Sequence, residues 1–236
     1  MKKMELIKLS PRLDAIARMV PPGARLADVG TDHGYLPIRL LQEGRIRSAV
    51  ATDIRPGPLS RAESNARAYN VHGMRCVLCD GLAALSGEDA DTIVIAGMGG
   101  ETIAGILQRA PWTKNGHRLL LQPMSRPEIL RRFLAESGCR IFEEHLAEDN
   151  GRVYSILRAG GGRAEVYSEA ELYTGLYEHI SKDSLFIPFI KDLKARLSAA
   201  AEGLSHSEKG DPTRLSQLRL ILDQLEEMRE KHDKGF

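Results

Sequence analysis

Residues Asp28-Val29-Gly30-Thr31-Asp32-His33-Gly34 read as the end of a buried strand, a turn, and the approach to an amphipathic helix at Tyr35. Gly30 takes backbone angles closed to other residues and lets a ligand approach the main chain, while the helix start offers free N–H groups. A dinucleotide pyrophosphate binds such N–H groups through G-x-G-x-x-G. Here the turn is G-x-D-x-G, and the carboxylate of Asp32 repels phosphate. A cation without phosphate suits it better, and S-adenosyl-L-methionine, with its sulfonium and α-ammonium, is such a cofactor. Two alternatives stay open for Asp32, a solvated turn residue or an N-cap for the helix. His33 is a proton shuttle, or else it caps or packs against the same helix.

More acids follow at successive strand ends. Asp53 in "VATDIRPG" stands 25 residues after Asp28 and can accept both ribose hydroxyl protons, a service that nicotinamide and sulfonium cofactors use equally. Asp80 in "LCDGL" can accept from an adenine amino group with Leu82 packing nearby, or it is simply a surface Asp-Gly turn. The fourth stretch, Gly97-Met98-Gly99-Gly100, follows a buried strand and permits close backbone approach of two ligands. A purely structural turn is the alternative, although so many positions with little side chain weaken packing unless something fills the space. Enzymes that methylate the amino group of adenine place D/N-P-P-Y/F at this point, and those that methylate cytosine carbon use a cysteine. This turn has neither.

The elements that must hold these residues alternate. Strands are expected at Arg25–Val29, Ser48–Asp53, Arg75–Cys79, Thr92–Ala96 and Arg118–Gln122, with helices at about 35–43, 58–70, 101–109 and 127–137. A leading helix, "SPRLDAIARMV", starts on an N-cap serine and a proline. This alternation specifies an α/β fold with a mostly parallel sheet and helices on both faces. Two β-rich runs around "EDNG" finish the sheet with an antiparallel pair. "RAGGGRAE" reads as a linker. Beyond it, Leu193, Leu197, Ala200 and Leu204, then Leu215, Leu218, Leu222 and Leu225, follow helical steps on either side of "SHSEKGDPT", giving a coiled-coil-like helical hairpin. The domains are expected at 1–160 and 161–236.

With 42% apolar and 28% charged residues, the chain has the makings of a sizeable core. No apolar run approaches the roughly 20 residues of a membrane span, and "MKKMELIKLS" lacks a signal-peptide core. Three cysteines cannot all pair, and Cys76 and Cys79, three apart on a strand, face opposite sides rather than one metal. A cytoplasmic protein with no metal and no membrane partner is expected. The net charge of +1 divides into +4 before Gly161 and −3 from it onward, so any nucleic-acid contact rests on local patches.

Taken together, "DVGTDHGYLP", "ATDIRPGPLSRAESNA", "CDGLAAL", "AGMGGETIAGIL", "LLLQP" and "EDNGRVYSILRA" resemble the bacterial tRNA (adenine(22)-N1)-methyltransferase family, almost end to end. The resemblance implies a class I methyltransferase Rossmann-like sheet with a C-terminal antiparallel strand and an appended helical domain. It also implies S-adenosyl-L-methionine as donor and tRNA as partner, with N1 of an adenine in the D-arm region as acceptor. Asp28, Gly30, Asp32 and Gly34 match its first cofactor motif, with Thr31 and His33 between them. Asp53, with Ile54, matches the ribose acid; Asp80 and Gly81, with Leu82, match the adenine side; Gly97, Met98, Gly99 and Gly100 match the turn facing the acceptor. Asp32, Gln122 and Met98 are the expected catalytic set. Family members often read Gln-Pro-Asn where this chain has Gln122-Pro123-Met124, and methionine cannot bond as an amide does. Arg12, Arg18, Arg55, Arg61, Arg126, Arg131 and Arg132 are available for phosphates around the cofactor mouth, with Lys191, Lys194 and Arg196 as a second patch. A monomer is expected.

Overall fold

A computed structural model describes residues 6–207 and 211–235. Three residues of the expected inter-helix loop, 208–210, lie outside the described residues, as do the first five. Contacts divide the chain into two units, Met1–Glu165 and Val166–Phe236.

The first unit opens with α1 (Pro11–Met19), capped by the Ser10 side chain, which accepts from the Leu13 N–H. Then come β1 (Ala24–Val29), α2 (Tyr35–Gln42), β2 (Ile46–Asp53), α3 (Pro56–Ala68), β3 (Met74–Leu78), β4 (Thr92–Gly99), α4 (Gly100–Arg109), β5 (Arg118–Ser125), α5 (Pro127–Glu136), β6 (Cys139–Asp149) and β7 (Arg152–Gly161). The seven strands form one sheet in the order β3-β2-β1-β4-β5-β7-β6, with helices against both faces. All pairings are parallel except those of β7, which runs antiparallel to β5 and β6. The chain reverses order across β1 and β4, and the carboxyl ends of these strands are where such sheets take ligands.

The central strands are buried on both faces, and alternate residues build the core on each side. Ala24 and Leu26 on β1, Val94 on β4, Leu120 on β5 and Ile156 on β7 pack with Ile16 of α1 and with Leu36 and Leu40 of α2. α1 therefore lies against the face of β5 that carries Arg118, Leu120 and Gln122.

Several expected boundaries shift. β4 continues past Ala96 because Met98 and Gly99 still pair with Pro123 and Ser125 of β5, across a bulge at Gly97. β7 likewise runs into the glycine stretch read as linker: Gly160 and Gly161 pair with Arg140 and Cys139. A Cβ at Gly161 would collide with the Lys114 carbonyl, so a glycine is required there for packing rather than for flexibility.

The second unit holds α6 (Glu169–Thr174), α7 (Tyr177–Ile180), α8 (Phe186–Ser205) and α9 (Pro212–Asp233). Phe186 meets His232 and Lys194 meets Glu226, so α8 and α9 run antiparallel. The buried stripe is Leu193, Leu197 and Ala201 against Leu218, Ile221, Leu225 and Met228; Ala200 is exposed and Leu222 only half-buried. No helix among the described residues is long and apolar enough to cross a membrane.

Arg131 of α5, expected at the surface, is fully buried: its Nη2 lies 2.5 Å from Glu144 Oε2 on β6 and 3.1 Å from Ser155 Oγ on β7. A buried pair of this kind is costly to break singly, because the surviving charge is left without a partner. Arg131→Met should lower stability by roughly 3–5 kcal/mol in denaturant titrations, and Arg131→Met combined with Glu144→Leu should restore most of it.

Candidate active site

The turn after β1 is fixed from below. The N–H groups of Gly30 and Thr31 both donate to the Thr52 carbonyl of β2, at 2.8 and 3.0 Å. Thr31 Oγ1 donates to Asp28 Oδ2 at 2.5 Å, and burial pushes the Asp28 carboxyl from the ordinary 3.8 up to about 6. Gly30, at φ +72°, takes a left-handed backbone that other residues adopt only rarely, and the Met98 methyl of the β4 turn rests where a Cβ would stand. Gly34, at φ +71°, is the N-cap of α2.

The expected alternatives for Asp32 separate here. α2 has no side-chain cap, so Asp32 does not cap it. Instead it stands at φ +51° with its carboxylate 62% exposed, Oδ2 lying 3.4 Å from His33 Nε2. A non-glycine residue in that region is strained, and such strain persists where the surrounding structure fixes it. His33 stacks on Tyr35 at 5.1 Å and does not cap either; Asn65 Nδ2 donates to its carbonyl. A cleft of about 270 Å³ is lined by Asp28, Gly30, Thr31, Asp32, His33 and Gly97, with Arg12 and Tyr35 at its walls.

Along the neighbouring strand ends, Asp53 is buried and accepts the Arg55 N–H at 2.9 Å through Oδ1. Beside it Ile54 is 65% exposed. Two expectations on the adenine side need correction. Leu82 is buried in the core at 2% exposure and offers no face to a ligand; Ile54 and Leu78, the latter 58% exposed, present the apolar surface instead. Asp80 is held by Arg109, whose Nη2 lies 3.1 Å from both carboxylate oxygens, so that exposed pair must open before Asp80 accepts from a base. Gly81 anchors the turn, its carbonyl accepting from Thr52 Oγ1 at 2.9 Å.

The third turn depends on Gln122, which is fully buried. Its Oε1 accepts from the Gly97 N–H at 3.0 Å and from Arg12 Nη1 at 2.6 Å, while its Nε2 donates to the Pro123 carbonyl at 2.9 Å. Every strong bond the amide can direct is therefore internal, and Gln122 positions the turn instead of reaching a substrate as expected. Arg12 is likewise withdrawn from phosphate contact: only 17% exposed, it joins Gln122 to Asp149 at 3.5 Å. The Met98 methyl lies against Gly30, and Gly99 is the N-cap of α4. Met124 is 42% exposed.

Of the other expected phosphate contacts, Arg55 and Arg61 are exposed, and Arg126 pairs with Glu101 at 2.5 Å. Lys191 is exposed, Lys194 pairs with Glu226 at 2.5 Å and Arg196 with Asp192 at 2.9 Å, so acids offset most of that second patch. Hydrogen bonds from Arg229 and Lys194 hold the Glu226 carboxyl down at about 2. Tyr35, Leu78 and Asp149 were not anticipated; exposure of an aromatic at a helix start was the available signal only for Tyr35.

The donor set fits S-adenosyl-L-methionine. Acids stand at the β1, β2 and β3 ends, and the β1 turn packs against a glycine-rich turn. A mostly parallel seven-stranded sheet closed by an antiparallel strand, with acid-bearing glycine turns at its carboxyl edge, defines a class I methyltransferase. The methyltransferase-domain family profile matches residues 9–157. The tRNA (adenine(22)-N(1))-methyltransferase of Bacillus subtilis (strain 168) is 29% identical over 98% of this chain and 100% of its own. A Streptococcus pneumoniae structure, described as a candidate tRNA (m1A22) methyltransferase, is 33% identical with a TM-score of 0.82, covering 94% of this chain and 99% of that one. A second structure of that protein, in complex with S-adenosyl-L-methionine, is 32% identical with a TM-score of 0.75, covering 92% and 100%. The chain belongs to the tRNA (adenine(22)-N1)-methyltransferase family.

Two outcomes follow from this geometry. Because the Asp28 carboxyl is raised in the folded state, its contribution to stability is full below about pH 4 and lost as pH rises through about 6. Denaturant titrations at pH 4.5 and 7.5 should show the wild type losing roughly 2 kcal/mol relative to Asp28→Asn, while calorimetry shows weaker cofactor binding by the variant. Arg12→Ala should lower kcat about tenfold or more with a small change in cofactor affinity, since the Gly97 turn loses one of its anchors. Arg12→Lys, which keeps one donor, should recover part of that loss.

Proposed function

We propose that this protein transfers the methyl group of S-adenosyl-L-methionine to N1 of adenine 22, in the D-arm region of tRNA. The observation that supports this most is the end-to-end likeness to the Bacillus subtilis enzyme, joined to a cleft with an acid where a phosphate-binding turn carries glycine.

When bound, S-adenosyl-L-methionine supplies an electrophilic methyl carbon on a sulfonium. Asp32 places negative charge at the methionine end of the cleft, with Asp28, Gly30, Thr31, His33 and Gly34 shaping the turn beneath it. Asp53 accepts from the ribose, and Ile54 covers the base from one side, with Asp80 and Gly81 at its edge. Gly97, Met98 and Gly99 face the acceptor, held by Gln122. N1 of neutral adenine carries a lone pair, so no proton has to be removed and no covalent enzyme intermediate is needed. What the chain contributes is alignment, worth about 7–11 kcal/mol when complete, and a fixed negative potential. N1 lies on the pairing edge, so the adenine is bound unpaired or extruded, at a cost of a few kcal/mol.

The protein acts as a cytoplasmic monomer without a metal. The free Cys76, Cys79 and Cys139 are consistent with a reducing compartment. Two other activities make different predictions: a small-molecule methyltransferase ignores tRNA, and a non-catalytic cofactor module binds the cofactor without transfer. Tritium transfer from labelled S-adenosyl-L-methionine should appear in total tRNA and not in a small-metabolite pool. Asp32→Ala should reduce that transfer by at least about a hundredfold while leaving the thermal unfolding midpoint near wild type, and unchanged turnover would remove Asp32 from the mechanism.

A further inference from the structure

At the far end of α1 from Arg12, a groove of about 610 Å³ opens between α1, the start of β5 and β6. Its lining includes Arg18, Arg45, Arg118 and His145 over an apolar floor of Met19 and Pro21. We propose that this groove, at the amino edge of the sheet and about one strand length from the cleft, binds the phosphate backbone of the RNA substrate. The assignment rests on RNA being the methyl acceptor.

The charges in the groove are poorly compensated. Arg45 donates to the carbonyls of Val20, at 2.9 Å, and Arg18, at 2.7 Å, which fixes one wall but leaves its positive charge without a carboxylate. Arg118 is half-buried, and no hydrogen bond or ion pair from its guanidinium is found among the described residues. Arg18 pairs with Asp14 at 2.6 Å, but that pair is exposed and opens at little cost. Glu143, the acid in the lining, is held by Arg158 at 2.5 Å from the neighbouring strand and lies 3.9 Å from His145 Nε2, so the uncompensated cations are Arg118 and Arg45. A half-buried guanidinium without an acceptor is matched by a phosphate, which takes two parallel N–H bonds from arginine.

Position favours an RNA backbone over an unrelated anion. Arg118 and the buried Gln122 lie on the same face of β5, four residues or about 13 Å apart, so the groove and the Gly97 turn are at opposite ends of the same strand, with α1 running between them. α1 spans the same interval, with Arg12 on Gln122 and Arg18 in the groove. A strand whose adenine enters the cleft can lay a flanking phosphate here.

The test uses the full-length protein and an unmodified tRNA transcript, with binding followed by fluorescence anisotropy between 50 and 300 mM salt, about the range in which counterion release dominates. Arg118→Gln should weaken tRNA binding about five- to tenfold and reduce the slope of log K against log salt by about 0.7–0.9. It should raise KM for tRNA while leaving kcat and cofactor affinity near wild type. Arg18→Glu, at an exposed position, should weaken tRNA binding at least as much without disturbing the fold, and Arg118→Lys should recover part of the loss. Wild-type affinity and salt slope in both Arg118→Gln and Arg18→Glu would overturn the assignment. So would loss of 5′-AMP binding in these variants with tRNA binding intact, which marks a free-nucleotide site. If the wild type methylates tRNA and the variants match it, only the groove assignment fails; if the wild type neither binds nor methylates tRNA, the acceptor assignment fails with it.

Discussion

A buried primary amide must find partners for its oxygen and its nitrogen, and Gln122 finds them on three separate segments. Its oxygen draws in the Gly97 N–H of the β4 turn and the guanidinium of α1, and its nitrogen closes on its own strand at Pro123. These bonds set where the glycine-rich turn sits, and hence where Met98 rests over Gly30. They also carry α1 onto the sheet and, through Arg12, reach the β6–β7 hairpin at Asp149. Removing the amide would leave the Gly97 N–H without an acceptor and a nearly buried Arg12 with Asp149 alone, at a cost exceeding that of one ordinary hydrogen bond.

Around that node the structure accepts local instability. Asp28 is buried beside a single hydroxyl donor, and Asp32 holds a left-handed backbone that no glycine relieves. Both lie at the carboxyl edge of β1, beside the switch in strand order. Residues selected for stability alone would be neutral at position 28 and glycine at position 32. A carboxylate at each suits a cationic ligand, which returns on binding part of the electrostatic cost of holding the acids there.

Much of this was legible in the chain. Short continuous apolar runs at β1, β4 and β5 alternating with amphipathic helices pointed to the parallel sheet, and "EDNG" to the antiparallel end. Gly30, Gly34, Gly81 and Gly97 were legible as turn positions because left-handed φ values require them. Side-chain partners were less accessible. Arg12 and Gln122 are 110 residues apart, and only the crossing of α1 over β5 brings them together. Arg131 looked like a surface arginine of an amphipathic helix until β6 supplied Glu144. Leu82 read as a ligand contact because the sequence does not distinguish a leucine beside a cleft from one beneath it. In the helical hairpin, Ala201 and Ile221 replace Ala200 and Leu222 at the interface, since a leucine repeat fixes the helix but not the rotation at which two helices meet.

The proposed mechanism, alignment of an unpaired or extruded adenine with a sulfonium donor and no general base, rests on the acid-bearing turn and on the turn that Gln122 holds. The most direct measurement is mass spectrometry of nucleosides and RNase fragments after incubation of an unmodified tRNA transcript with the protein and S-adenosyl-L-methionine. N1-methyladenosine confined to position 22 is the predicted product. N6-methyladenosine, or methyl incorporation absent from RNA altogether, would contradict the account.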